Sequence, residues 1–313
     1  MKTRLTDLLN IEYPIIMAPM FLVSNTKMII EALNNGITAA IPAMNYKTDK
    51  ELRAAITEIR KASDKPFGFN LIVNKSNPRY KQQLKTLIEL NIDYIITSLG
   101  NPKEVIAKCK PLGIKVFCDV VDLKTAQKVE GLGADAIIAV NRQAGGHAGP
   151  YPAERLIPQL KENCTIPIIS AGGVATHEQL NKILALGADG VSVGTPFIAS
   201  KECSVSDEYK QAIVEFKGKD IVLTNKISGT HLAVINTPYV QEIGTKATFL
   251  ENLLNKNRFL KKYIKMLIFN NGMKAIEKSA FKATYKTVWV AGPSIEDIHE
   301  IKTVKEIIKQ LTI

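Results

Sequence analysis

Eight short apolar runs recur through the first two hundred or so residues, and this feature narrows the possible folds most. They read YPIIMA, ITAAIP, FGFNLIV, IDYIIT, IKVFCDV, ADAIIAV, IPIISA and GVSVG, about 20–30 residues apart. Amphipathic stretches such as DKELRAAITEIRKA and PRYKQQLKTLIEL lie between them. Strands that are apolar almost continuously suit a sheet covered on both faces. Parallel neighbours in such a sheet need a crossover, which the amphipathic stretches supply. Eight βα units in this length predict an α/β chain folded as a (β/α)8 TIM barrel. The competing doubly wound sheet usually has fewer strands and opens on G-x-G-x-x-G, which is absent here.

The character of the chain changes after the eighth run. Residues 1–205 are expected to form the barrel and its ligand site. Residues 206–285, with EYKQAIVEFKGK and NRFLKKYIKMLIFNNGMKAIEKSAFKA, read as a small helical addition. Residues 286–313, with TVWVAGPSIEDIHEIKTVKEIIKQL, return to close the barrel. Between 206 and 290 there are fourteen Lys and Arg against seven Asp and Glu, which is most of the net charge of +11. No basic run reaches five residues, so nucleic acid is not an expected partner. No apolar run approaches the ~20 residues that span a bilayer, so no membrane segment is expected. The N-terminal MKTRLTDLLN has no apolar signal core, and a cytoplasmic protein is expected. Cys109, Cys118, Cys164 and Cys203 have neither C-x-x-C nor metal-ligand spacing, so reduced thiols and no metal are expected.

Ligands of such barrels bind at the C-terminal ends of the strands, and a phosphate often sits after the last two. The seventh run ends ISAGGVATHEQL, where Gly172 and Gly173 clear the turn of side chains and Thr176 with Gln179 forms a capping-box pattern. The eighth ends VSVGTPFIAS, with Thr195 read as an N-cap and Pro196 as the first helical residue. Two such turns together point to a single phosphate held on backbone N–H groups. FMN is the natural occupant, its one phosphate anchored there and its ring across the barrel mouth.

The sixth run is followed by AVNRQAGGHAGP, three glycines around His147. In a barrel this loop lies on the same rim, where Gly145 and Gly146 let the backbone approach a ligand closely and His147 serves as acid or base near neutral pH. His177, His231 and His299 read as ordinary residues, with His231 the nearest of them to a ligand.

Together YPIIMAPM, FGFNLIV, AGGHAG, PIISAGG and GVSVGTPF resemble, in order and spacing over roughly residues 5–235, the nitronate monooxygenase (2-nitropropane dioxygenase) family of FMN-dependent barrels. The resemblance implies that Met20 and its neighbours Ala18 and Pro19 contact the flavin, as does Asn70. It implies that Gly145, Gly172 and the stretch Val193-Gly194-Thr195 bind the flavin or its phosphate, Gly146 and Gly173 adjoining them, and that His147 is the catalytic acid/base. It implies oxidation of a small-molecule nitronate with dioxygen to a carbonyl compound and nitrite. The chain departs from the family in three places. Val140-Asn141 stands where many members have Gln-Gly, which removes or replaces a polar contact to the ring. FLVSNTKM after Met20 is bulkier than the usual small residues, and Pro293 stands where Gln is frequent.

The same motifs resemble the flavin-dependent enoyl-acyl carrier protein reductases, which use NAD(P)H, and the basic addition would suit an acidic carrier protein. An NADH:quinone reductase and a flavin-binding module without activity are further alternatives. Sequence leaves the oligomeric state, a homodimer included, open.

Overall fold

The computed structural model of the chain describes residues 1–74, 77–227, 231–245, 271, 274–281 and 287–313. Strands β1 (Ile15–Met17), β2 (Thr38–Pro42), β3 (Gly68–Ile72), β4 (Tyr94–Ser98), β5 (Lys115–Val120) and β6 (Ala136–Val140) follow one another in the sheet. A two-residue strand, β7 (Gly146–His147), leaves it, and β8 (Ile168–Ala171) and β9 (Gly190–Val193) complete it. All neighbours are parallel, and β1 pairs with both β2 and β9, so the barrel is closed. Each of the eight barrel strands coincides with one of the apolar runs, β4 running on to Ser98 just past its run.

The crossovers are helices for identifiable reasons. Asp49–Ala62 starts on Thr48, whose side chain and that of Glu51 form a reciprocal capping box, and it buries Leu52, Ala55, Ile56 and Ile59. Thr176 and Gln179 form the same box at the start of His177–Ala185.

The N-terminal end of the barrel is plugged. Helix Arg4–Leu9 lays Leu5 and Leu9 against Ile16, Ala40, Tyr94, Ile96, Phe117, Ile138 and Ile169. Tyr94 is fully buried, stacks on Phe117 at 4.9 Å and donates its hydroxyl to the Ala39 carbonyl at 2.9 Å. Gly68 makes room for that ring, since a Cβ there would lie 2.2 Å from Cε2 of Tyr94. Three aspartates standing just before β4, β6 and β9 repeat one device. Asp93, Asp135 and Asp189 accept the backbone N–H of Phe67, Val116 and Ile168, tying the start of each preceding strand.

After β9 the chain forms helix Asp207–Glu215, strands β10 (Ile221–Thr224) and β11 (Leu232–Ile235), and helix Pro238–Ile243, with residues 274–281 again helical. The addition therefore holds strands that the sequence reading did not anticipate. β11 pairs antiparallel with both β10 and β7, making a three-stranded sheet beside the barrel mouth. The lysine-rich stretch 246–270 lies outside the described residues. In the last segment Ser200 bridges to Lys302, and helix Val304–Thr312 packs on helices Thr26–Asn34 and His177–Ala185. Among the described residues, no helix is long and apolar enough to cross a membrane.

Candidate active site

At the C-terminal ends of the strands lies a cavity of about 1030 Å³. Ala18, Pro19, Met20, Asn70, Gly145, Gly146 and His147 all line it, so the sequence reading brought together residues from β1, β3 and the loop after β6. Gly172, Gly173, Val193, Gly194 and Thr195 lie just beside it, their neighbours Ala171 and Ser192 forming part of the wall. Val193 points into the apolar core, so it has only backbone to offer a ligand.

His147 is held by β7, where it pairs with Leu232 of β11. The loop that carries it doubles back on β6: the Gly149 N–H donates to the Asn141 carbonyl, and a Cβ at Gly149 would lie 2.1 Å from the Val140 carbonyl oxygen. Nε2 of His147 is buried and has no hydrogen-bond partner. Burial holds its pKa below the ordinary imidazole value, because the charged form loses water. A neutral imidazole on a cavity wall is able to take a proton.

The glycines of the rim turns also have a packing role. A Cβ on Gly172 would lie 2.3 Å from the Ala144 nitrogen, and one on Gly145 would lie 2.8 Å from the Gly292 nitrogen. These glycines let turns distant in sequence stack on one another. The backbone N–H groups of Gly172, Gly173, Gly194 and Thr195 find no acceptor among the described residues. Four free donors from two adjacent turns make a concavity suited to an anion. The expected cap is corrected. Gly194 occupies the N-cap and Thr195 the first position of a four-residue helix, Thr195–Ile198. The Thr195 hydroxyl instead accepts the Gly292 N–H at 3.0 Å.

The three departures also have structural explanations. Asn141 does not line the cavity: its amide donates to the Gly172 carbonyl at 3.0 Å, and its oxygen accepts the Gln143 N–H at 2.7 Å. It therefore fastens the β6 turn to the β8 turn. Phe21 and Val23 of FLVSNTKM enter the cavity wall. Pro293 opens the short helix Pro293–Asp297, which follows the Gly292 contact.

Sequence reasoning missed a polar line across the strand ends. Asn70 donates to the Ser98 hydroxyl at 2.6 Å and to the Ile96 carbonyl at 3.3 Å, and Ser98 donates to Asp119 on β5. Burial pushes the Asp119 carboxyl up to about 6, against the lowering effect of the Ser98 hydrogen bond. The available signal was a carboxylate inside the apolar run IKVFCDV. Also unforeseen were Arg142 and the apolar rim of Leu99, Val121 and Leu223, which are 38 %, 36 % and 40 % exposed. His231 does line the cavity. Among the described residues, no three His, Cys, Asp or Glu side chains gather to hold a metal, and the four cysteines are buried and unpaired.

The chain is similar to known proteins over most of its length. A profile of the family described as nitronate monooxygenase matches residues 2–313. A "(3aS,4S,5R,7aS)-5-hydroxy-7a-methyl-1-oxo-octahydro-1H-indene-4-carboxyl-CoA dehydrogenase" of Rhodococcus jostii is 32% identical over 243 residues, 78% of this chain and 68% of the relative. A probable nitronate monooxygenase of Staphylococcus saprophyticus is 29% identical, over 78% of this chain and 81% of the relative. Among solved structures, FabK from Thermotoga maritima superposes with a TM-score of 0.86 at 30% identity, covering 99% of this chain and 95% of FabK.

Proposed function

This chain belongs to the nitronate monooxygenase family of oxidoreductases, and from that premise we propose that it is an FMN-dependent enzyme oxidising alkyl nitronates with dioxygen to a carbonyl compound and nitrite. The observation that carries this reading is His147, whose Nε2 is buried on the cavity wall without a partner. An orphaned buried nitrogen costs stability, and a substrate that meets it removes that cost.

The residues present fit FMN. The free N–H groups of Gly172, Gly173, Gly194 and Thr195 suit one phosphate, and the cavity beside them is large and apolar enough for a flat ring. When bound, FMN supplies the electron transfer and the reaction with dioxygen. This chain's own residues do the rest. Asn70 spends both amide hydrogens on Ser98 and Ile96, which leaves its oxygen to accept a hydrogen bond from the ligand. His147, kept neutral by burial, takes the α-proton of a nitroalkane that enters in its neutral form, and the resulting imidazolium stays beside the nitro group that receives the electron pair. Met20, Phe21 and Val290 exclude water from that exchange.

A second reading, a flavin reductase using NAD(P)H on an acyl thioester or a quinone, is favoured by the exposed apolar rim of Leu99, Val121 and Leu223. A small nitronate has no use for that rim, whereas a long apolar chain does. Anaerobic mixing of the FMN-loaded protein with a nitronate, and separately with NADH, tests both. Bleaching by the nitronate at mildly acidic pH is expected. Bleaching by NADH alone would transfer the assignment to the reductase reading, and a protein that takes up no flavin would refute both.

A further inference from the structure

Asp119 is the one acidic side chain among the described residues lining the cavity. It stands at the C-terminal end of β5, where the barrel opens, and Ser98 from β4 is its hydrogen-bond partner. No cation pairs with it among the described residues. From β6, the neighbour on its other side, Ile138 and Val140 reach the cavity and bring no charge. The ionisable groups that share the cavity are Arg142, His147, Tyr209 and His231. The Arg142 guanidinium is turned to the Pro150 carbonyl at 2.8 Å, and the Tyr209 hydroxyl donates to the Val290 carbonyl at 2.6 Å. Cys118, next in chain, donates nothing into the cavity: its thiol is buried against Thr97.

A lone carboxylate in an apolar chamber is strongly felt, because little water screens it. We propose that Asp119 selects ligands by charge: ionised, it turns away an anion such as a nitronate or a carboxylate, and protonated, it admits one by donating its hydroxyl to the anion's oxygen. Neutral ligands are indifferent to the change. The inference rests on reading the cavity as the substrate site, and it specifies which protonation state of the substrate the site takes. Above the pH at which Asp119 ionises, a neutral nitroalkane is the form that enters. Burial places that change at about 6, above the usual carboxylate range.

The test uses the FMN-loaded protein and a pair of unreactive probes of one shape, benzoate and benzamide. Binding is followed between about pH 5.5 and 8.5 by calorimetry and by the perturbation of flavin absorbance. Benzoate affinity should fall up to about 10-fold per pH unit above the ionisation of Asp119, with benzamide affinity flat. Asp119→Asn keeps an acceptor for Ser98 and removes the charge, and it should make benzoate binding independent of pH above 6. A slope that survives in Asp119→Asn would belong to another group and would overturn the proposal. So would a flat profile in the unmodified protein, or a failure of benzoate to bind at pH 5.5. Ser98→Ala gives an independent check: losing the hydrogen bond that favours the carboxylate should move the break to higher pH. A break that stays in place in Ser98→Ala also counts against the proposal. Failure of the nitronate reading would be recognised separately, as a flavin that neither a nitronate at mildly acidic pH nor its neutral nitroalkane bleaches while the benzoate slope persists.

Discussion

At the N-terminal end of the barrel, Asp189 accepts from Nε of Arg4 at 2.8 Å and from the Ile168 N–H at 2.9 Å, and its pairing with Arg4 ties the plugging helix to β9. Asp93 at the same end is held by Arg60 and the Phe67 N–H. At the C-terminal end, Asp119 has the Ser98 hydroxyl, and the buried Nε2 of His147 has nothing. Both ends use glycine as well. Gly190 at the closed end makes room for Leu5, since a Cβ would lie 2.4 Å from its Cδ2, whereas a Cβ on Gly194 at the open end would meet nothing nearer than 3.5 Å. One end satisfies its polar groups and fills its space. The other leaves donors, acceptors and volume unused, and that is where a ligand can contribute binding energy.

The largest expected effect falls at the open end. His147→Ala removes the proton acceptor and leaves the fold intact, because the buried nitrogen it deletes has no partner. Turnover of neutral nitroalkanes should drop by roughly 10²–10⁴-fold, the usual worth of a positioned base. Pre-formed nitronates, whose proton is already gone, should lose less. Comparing kcat/KM for the two forms of one compound reads this directly, with the flavin spectrum as a check on cofactor retention. Because burial lowers the His147 pKa, nitroalkane turnover in the unmodified protein should already be at its plateau at neutral pH and decline only on acidification below the ordinary imidazole value. Equal losses on both substrates would place His147 with the structural residues of the closed end.

Leu5→Ala is the counterpart at the plug. Leu5 is fully buried against Tyr94 and its neighbours, so the truncation should cost about 2–5 kcal/mol of stability, measured by chemical denaturation. FMN affinity and kcat should stay unchanged. A change in either would show that the two ends are coupled through the barrel interior. A smaller loss, about 1–3 kcal/mol, is expected of Asp189→Ala, which strands the Ile168 N–H and leaves the Arg4 guanidinium only the Thr165 and Ile166 carbonyls. Arg4 is partly exposed and regains water, which keeps that figure below the cost of an empty core.

The parts of this molecule legible from sequence are those whose cause is local. The eight strands announced themselves as apolar runs and the helix Asp49–Ala62 as a 3.6-residue pattern behind Thr48. That His147 stands on the cavity wall was legible because glycines on both sides of an imidazole are costly unless used. What escaped depends on contacts across long separations. β10 and β11 are four residues each and pair with each other, and β11 also pairs with the two-residue β7 far back in the chain. Thr195 looked like a cap, yet its hydroxyl meets Gly292, 97 residues away. Asp119 was hidden inside a strand run, where only closure of the barrel shows that its side chain reaches the cavity and not the surrounding helices.

The glycines at the open end provide the last test and the smallest effect. Gly172 cannot separate ligand from fold, because its φ of +110° and the 2.3 Å approach of a Cβ to the Ala144 nitrogen make any side chain there disturb the stacked turns. Gly194 can. Its φ of −116° suits any residue, and a methyl group would make ordinary contacts with Ala18 and Met20. Gly194→Ala should therefore leave the melting temperature unchanged. If backbone at this turn lies directly against FMN, the added methyl displaces it, and affinity should fall about 10-fold, or about 1.4 kcal/mol. Titration of the apoprotein with FMN, paired with thermal unfolding of the same samples, gives both quantities. Unchanged affinity would move the phosphate away from Gly194 and onto the β8 turn alone. A lowered melting temperature with unchanged affinity would mean that Gly194 serves packing, as Gly190 does at the plug, and the division of the barrel into a filled end and an open one would have to be drawn elsewhere.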